Sequence, residues 1–244
     1  SGGDLTELFE FIPVTKHAQS LLLVWLAACL IPEIAHPILI LHGPQGSGKS
    51  TAFRYLRSLI DPSIMQTMSL PHSDAITQML SHHWFNPLDN IDGFSREVSD
   101  VLCRAVTGDA QMKRAHYTND DDFIYQYRRC IGINGINIAA TRPDLLDRSI
   151  LIALDRILET ERRTEEALQE RWHALQPRIF AGLLDALSRA MRIYPTIELK
   201  HTPRMADFAY WGCAIAEAMD IDREIFLDAY ADNIEQQNQE ALTS

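Results

Sequence analysis

The chain has 244 residues, of which 46% are apolar and 23% charged, and a formal net charge of −11. These values fit one large globular domain, or one domain with a smaller appendage, and exclude collagen-like, low-complexity and wholly disordered chains. Cys29, Cys103, Cys130 and Cys213 are scattered and form no CxxC pair, which excludes a disulfide-dense secreted scaffold and a zinc ribbon and fits a reducing cytoplasm.

Ser1-Gly2-Gly3 reads as a tag remnant, and the chain as a fragment of something longer. Residues 4–33 read as helical. Their apolar run Leu21–Ile31 is too short for a bilayer, which needs roughly 20 apolar residues, so it reads as a buried helix and no membrane is expected. Pro37–Leu41 looks like a buried parallel strand and Thr51–Ile60 a helix ending before Asp61-Pro62. His83–Leu88 is a second strand, and Phe94–Val106 a helix broken by Thr107-Gly108-Asp109. Lys113–Thr118 and Phe123–Cys130 flank an acidic turn and suggest a hairpin. Ile131–Ile138 and Ser149–Leu154 are further strands. Helical spacing then continues through Glu165–Trp172, Pro177–Ile193, Met205–Met219 and Glu224–Ala231. The pattern predicts an N-terminal helical segment over 1–33, an α/β nucleotide-binding core with a parallel sheet over 34–157, and a helical lid over 158–244.

The strongest motif is Gly43-Pro44-Gln45-Gly46-Ser47-Gly48-Lys49-Ser50, a full G-x-x-x-x-G-K-[ST] between strand and helix, followed by Thr51. Glycines let backbone N–H groups converge on phosphate oxygens, and the helix start adds its positive end. Lys49 places charge on the β- and γ-phosphates and Ser50 offers a hydroxyl to Mg²⁺, so the expected ligands are ATP and Mg²⁺. Asp89, at the end of its strand, is the expected second metal ligand, directly or through water, or else Asp89-Asn90 is a surface turn. Asn90 follows it where a glutamate commonly polarises the attacking water; an asparagine orients water but takes no proton. Pro87 is irregular inside a strand because it lacks a ladder donor. Asn134 stands at a strand end where it can reach the γ-phosphate, or it simply turns the chain before Gly135.

Arg142 and Arg148 suit a subunit interface, with Arg148 favoured to reach a neighbour's nucleotide; both can equally pair with Asp144 and Asp147. Arg204, opening a lid helix, is a further nucleotide contact or a plain first-turn arginine. An acidic chain cannot coat nucleic acid broadly, so any contact must be local. Only four of the 22 basic residues are lysines: Lys16, Lys49, Lys113 and Lys200. The densest basic and aromatic patch is Lys113, Arg114, His116 and Tyr117 against Arg128-Arg129, a single-stranded DNA candidate or a solvated hairpin paired to Asp120–Asp122. His82-His83 lacks further ligands at metal spacing and reads as structural.

The order of these motifs resembles the AAA+ ATPases, and a hairpin before the asparagine strand resembles superfamily-3 helicases. The chain is most similar to phage and mobile-element ATPases encoded with or fused to a primase-polymerase. The shared segments are Leu88-Asp89-Asn90, Ser99-Asp100-Val101-Leu102-Cys103-Arg104 with Thr107-Gly108, Asn134-Gly135-Ile136, Arg142-Pro143-Asp144-Leu145 and Pro203–Phe208. The resemblance implies a P-loop NTPase core and a DNA-dependent ATPase that forms a homo-oligomeric ring, expected to be a hexamer. Lys49, Ser50, Asp89 and Asn134 would act in cis and Arg148 in trans, with single-stranded or forked DNA in the pore and a primase-polymerase as partner. The other readings are an initiator or loader ATPase without unwinding, and an ATP-gated DNA-binding module with weak turnover.

Overall fold

The computed structural model describes residues 3–71, 73–108, 111–114, 122–125, 128–135 and 142–243. It is an α/β structure around a four-stranded sheet whose pairings are all parallel. The strands are β1 (Ile38–His42), β2 (Phe85–Leu88), β5 (Cys130–Asn134) and β6 (Ser149–Ala153), in spatial order β2-β5-β1-β6. Two further strands, β3 (Gln111–Arg114) and β4 (Asp122–Tyr125), pair antiparallel as a separate ribbon. The strands of the main sheet are apolar on both faces, as a sheet covered on both sides requires.

The N-terminal stretch is less uniformly helical than expected. Leu5–Glu10 and Lys16–Ala18 are 3-10 turns, and only Gln19–Ala28 is an α-helix, α1. Between them Val14 bridges Leu154, and the Thr15 N–H reaches the Ala153 carbonyl at 3.2 Å, so this stretch lies against the end of β6. From Leu21 to Ala28 every residue of α1 is buried, and the Trp25 indole N–H reaches the Pro37 carbonyl at 2.8 Å. A helix apolar all round belongs in an interior. No described helix is long and apolar enough to cross a membrane.

Helix α2 (Lys49–Ile60) crosses β2 and β5. Its Phe53 sits so close to Gly132 that a Cβ there would lie 2.6 Å from the ring. Then come α3 (Ser73–His82), absent from the sequence reading, and α4 (Arg96–Thr107), capped by Ser95 and stopped by Gly108 in the left-handed region. The short α5 (Pro143–Leu146) precedes β6. The two helices expected over 165–193 are one, α6 (Glu165–Ile193), which runs through Pro177. Pro177 is exposed, where water can satisfy the carbonyl that its missing N–H leaves free. Helices α7 (Ala206–Ala218) and α8 (Arg223–Thr243) complete the chain. One continuous cluster of buried side chains joins the N-terminal segment, the sheet and α6–α8.

Pro87 fits β2 because of which edge it faces. The Pro87 carbonyl accepts from Met68 N–H at 2.9 Å and Asp89 N–H reaches Met68 O at 2.8 Å, so Pro87 turns its missing donor away from β5. The other sheet edge is closed by a side chain. Asn233 on α8 accepts from Leu151 N–H at 2.8 Å and donates to Leu151 O at 2.6 Å, standing in for a neighbouring strand. Beneath the sheet, buried Arg57 donates to His83 Nδ1 at 3.1 Å and lies 3.9 Å from Asp61, whose carboxylate also receives the Trp84 and Phe85 N–H groups. Because arginine only donates, His83 is held as the Nε2–H tautomer, a structural role as expected.

Two predictions follow from these buried polar groups. Asn233→Ala orphans two backbone groups at ~1–3 kcal/mol each, so urea unfolding should show a loss of about 3 kcal/mol. Burial, then the charge of Arg57, holds His83 below its ordinary 6.5. The unfolded chain therefore binds a proton that the folded chain refuses, and stability falls as pH drops below about 6.5. His83→Asn, which still offers Arg57 an acceptor, should flatten that slope in melting curves recorded between about pH 7.5 and 5.5.

Candidate functional site

The register of the sheet aligns three strand ends. Leu41 lies beside Asn134, and Ile133 beside Leu88, so Gly43, Asn134 and Asp89 follow one another along the carboxyl edge. In open α/β sheets this edge is where ligands bind. With strands ~4.8 Å apart and β5 in the middle, the first and last of them stand about 10 Å apart.

The segment from Gly43 to Gly48 makes the turn from β1 into α2. Gly43, Gly46 and Gly48 have φ of 149°, 80° and 76°, and a Cβ on Gly43 would meet the Leu154 carbonyl at 2.5 Å. Only glycine takes these positions without strain. Pro44, Gln45 and Ser47 complete the loop, and Thr51 follows Ser50 in the first turn of α2. Lys49 Nζ curls over the loop, donating to the carbonyls of Gly43 at 2.9 Å and Pro44 at 3.1 Å and to Ser47 Oγ at 3.4 Å. Ser50 Oγ donates to Asp89 Oδ1 at 2.8 Å, although 39 residues separate them. A hydroxyl and a carboxylate oxygen side by side form a donor set for a hard cation.

Asn134 binds the turn after β2. Its Oδ1 accepts the Asn90 N–H at 2.7 Å and its carbonyl the Ile91 N–H at 2.8 Å, while Asn90 holds φ 57°. Asn134 is 2% exposed, and its Nδ2 has no partner among the described residues. A buried amide with a spare donor costs roughly 1–3 kcal/mol unless a ligand or water takes it.

Two clefts adjoin this edge. One, about 570 Å³, is lined by residues 67–70 and 89–93. The other, about 520 Å³, opens at Thr51 between α2 and the first turns of α6. Its floor is aromatic, with the Tyr55 and Trp172 rings 4.5 Å apart and Phe11 about 5 Å from each. Gln66, Gln169 and His173 stand on its rim, and Arg54 pairs with Glu165 across it at 3.3 Å. The strap from β6 to α6 passes over the glycine loop, with Ile157 against Gly48 and Arg162 beside Gly46. Sequence reading gave no role to Arg162, Trp172 or residues 67–70, because nothing local in the chain announces the distant elements that each of them meets.

The arginines gather elsewhere. The Arg148 carbonyl accepts the Ile38 N–H, which puts it at the opposite end of β1, about 15 Å from the loop at ~3.3 Å per residue. Arg148 donates to the Asp144 carbonyl at 2.7 Å, and Arg142 lies 3.3 Å from the Asp144 carboxylate and 3.8 Å from Asp100. Arg204 pairs with Asp147, next to Arg148, and so belongs to this group rather than to the glycine loop of its own chain.

Of the expected hairpin, the described residues include the strands Gln111–Arg114 and Asp122–Tyr125, with Arg114 opposite Asp122 and Lys113 opposite Phe123. His116 and Tyr117 lie outside the described residues. Arg128 and Arg129, read as part of the basic patch, are tied to backbone instead. Arg129 donates to Leu80 O, Arg128 O and Ser81 O at 2.6–3.1 Å, and Arg128 to the carbonyls of Thr107 and Glu33. These arginines close the ends of α3 and α4, where carbonyls are left free. The four cysteines are buried, burial pushing Cys103 up and Cys213 up to about 11, and no cluster of metal ligands occurs among the described residues.

A family model described as actinomycete integrative conjugative element replication protein matches residues 4–240. No curated protein matches the chain. Among solved structures it is similar to the apo C-terminal region of NrS-1. The A form gives a TM-score of 0.53 at 20% identity, covering 75% of this chain and 45% of that one. A second structure, of residues 305–718, gives 0.54 at 15% identity over 93% of this chain and 50% of that one. At such identities the likeness is one of fold, and the chain spans about half the length of those it matches.

Because Arg129 closes α3 with two hydrogen bonds from a charged group and makes a third to the Arg128 carbonyl, Arg129→Ala should cost on the order of 2 kcal/mol in denaturant unfolding.

Proposed function

The chain belongs to the replication proteins of actinomycete integrative conjugative elements, and we propose that it serves them as an ATP-hydrolysing DNA helicase or translocase core of the P-loop, AAA+-like class. The observation that carries this reading is the 2.8 Å hydrogen bond from Ser50 to Asp89, which joins the glycine loop to the end of β2. Loop amides and the start of α2 would hold the β- and γ-phosphates, and Lys49 would leave its three loop acceptors for them. Mg²⁺ would be held by Ser50 and Asp89, and when bound it neutralises charge developing on the transferring phosphoryl group. The aromatic cleft at Thr51 supports a seat for the base and ribose, with Arg162 over the phosphates. Asn134, through its free Nδ2, would hold a γ-phosphoryl oxygen or the attacking water.

Arg148, with Arg142 and Arg204 beside it, lies too far from its own loop to reach that chain's nucleotide. This supports a role across a subunit interface, and with it a ring, a hexamer in this reading. Lys113 and Arg114, on the ribbon, with His116 and Tyr117, would meet single-stranded DNA in the pore, and a primase-polymerase would supply the partner activity. Asn90 favours a second reading, an ATP-gated DNA-binding module or loader with little turnover, because it takes no proton.

Lys49→Ala should abolish ATPase activity and strand separation on a forked duplex while the fold is kept. ATPase and unwinding rates measured side by side distinguish the readings: hydrolysis without unwinding indicates a loader, and wild-type turnover in Lys49→Ala removes the loop from the mechanism.

A further inference from the structure

We propose that Asp92 accepts the proton of the attacking water, supplying the carboxylate that Asn90 lacks; the inference rests on the ATP-hydrolysis reading. Asn90 takes a left-handed turn at φ 57°, and two hydrogen bonds to Asn134, from the N–H groups of Asn90 and Ile91, pin that turn over the end of β5. The Ile91 carbonyl lies so close above Gly135 that a Cβ there would sit 2.0 Å from it. The chain thus leaves the turn at a fixed place, with Asp92 three residues beyond Asp89. Three residues of chain span at most ~10 Å. Asp89 and Asp92 line the same cleft of about 570 Å³, together with Asn90 and the segment Thr67–Leu70 that bridges β2 at Met68.

The two carboxylates differ in their bonding. Asp89 is bonded to Ser50. Asp92 is exposed, and its carboxylate makes no hydrogen bond or ion pair among the described residues, so both its oxygens are open to a water. Glu97, the next acidic residue, lies in the first turn of α4 behind the Ser95 cap and does not line this cleft. The buried Asn134 Nδ2 adds a fixed donor, with no partner of its own, on the side chain that pins the turn.

The step balances without redox change. The water oxygen bonds to the γ-phosphorus as the bond from that phosphorus to the β–γ bridging oxygen breaks. The bridging electron pair leaves with ADP, and the water proton passes to Asp92 and from there to solvent. General-base assistance of this kind contributes roughly 10²–10⁴-fold.

Asp92→Asn should therefore lower kcat about 100-fold or more, while affinity for a fluorescent non-hydrolysable ATP analogue, read by anisotropy, stays at the wild-type value. Adding Asn90→Glu to Asp92→Asn should recover turnover. Near wild-type kcat in Asp92→Asn overturns the assignment. A parallel loss of analogue binding overturns it too, since that reports a structural role, as does turnover that stays low in the double variant. Failure of the wild-type chain to bind the analogue is a separate result and removes the ATP reading itself.

Discussion

The hydrogen bond from Ser50 to Asp89 is the constraint on which the site depends. The two residues belong to elements that share no local sequence and meet only because a single strand, β5, lies between β1 and β2. Moving β2 outward by one strand would carry Asp89 another ~4.8 Å away and out of reach of the hydroxyl. Much of the packing serves that spacing. Phe53 presses on Gly132, where a side chain would push α2 off the sheet, and Pro87 closes the outer edge of β2 without giving up a bond to β5. Arg57 and Asp61 hold the start of β2 from below, through His83 and the N–H groups of Trp84 and Phe85.

Asn134 extends the same constraint. Its side-chain oxygen and its carbonyl are both spent on the turn after Asp89, and its amide nitrogen is left over in a buried setting. A residue arranged this way responds to a ligand as a unit. Whatever takes the free donor is linked through one side chain to the turn at Asn90 and through it to the position of Asp92. The strap over the glycine loop makes a comparable link on the other side, because Ile157 and Arg162 lead directly into α6, whose first turns wall the aromatic cleft. The loop is thereby in contact with the segment that leads into the helices behind the core.

What could be read from sequence follows how local each signal is. The place of the glycine loop between strand and helix was legible because the three are contiguous, and the strand-end places of Asp89 and Asn134 because each ends an apolar run. Helix α3 was missed, its short amphipathic run lying between loops. The break expected between Trp172 and Pro177 is absent because an exposed proline can sit within a helix whose other face is packed. Arg128 and Arg129 looked like a nucleic-acid patch since composition does not show that carbonyls at the ends of α3 and α4 need donors. Asn233 could not be read at all: nothing in an exposed-looking helical sequence says that an amide 82 residues away will complete the edge of β6.

The placement of charge argues for where the chain meets its surroundings. With a net charge of −11, a broad field would repel nucleic acid, and the arginines at the strand-start edge are already engaged with Asp100, Asp144 and Asp147. Pairs of this sort, half-exposed and worth at most ~1 kcal/mol each, hold a guanidinium in place without committing it. A stronger acceptor can take over such an arginine at little cost. The same logic applies to Lys49, resting on loop carbonyls that bind it less well than an anion would. The cationic groups at both ends of the sheet are therefore held in orientation by weak internal acceptors that a stronger anion can displace.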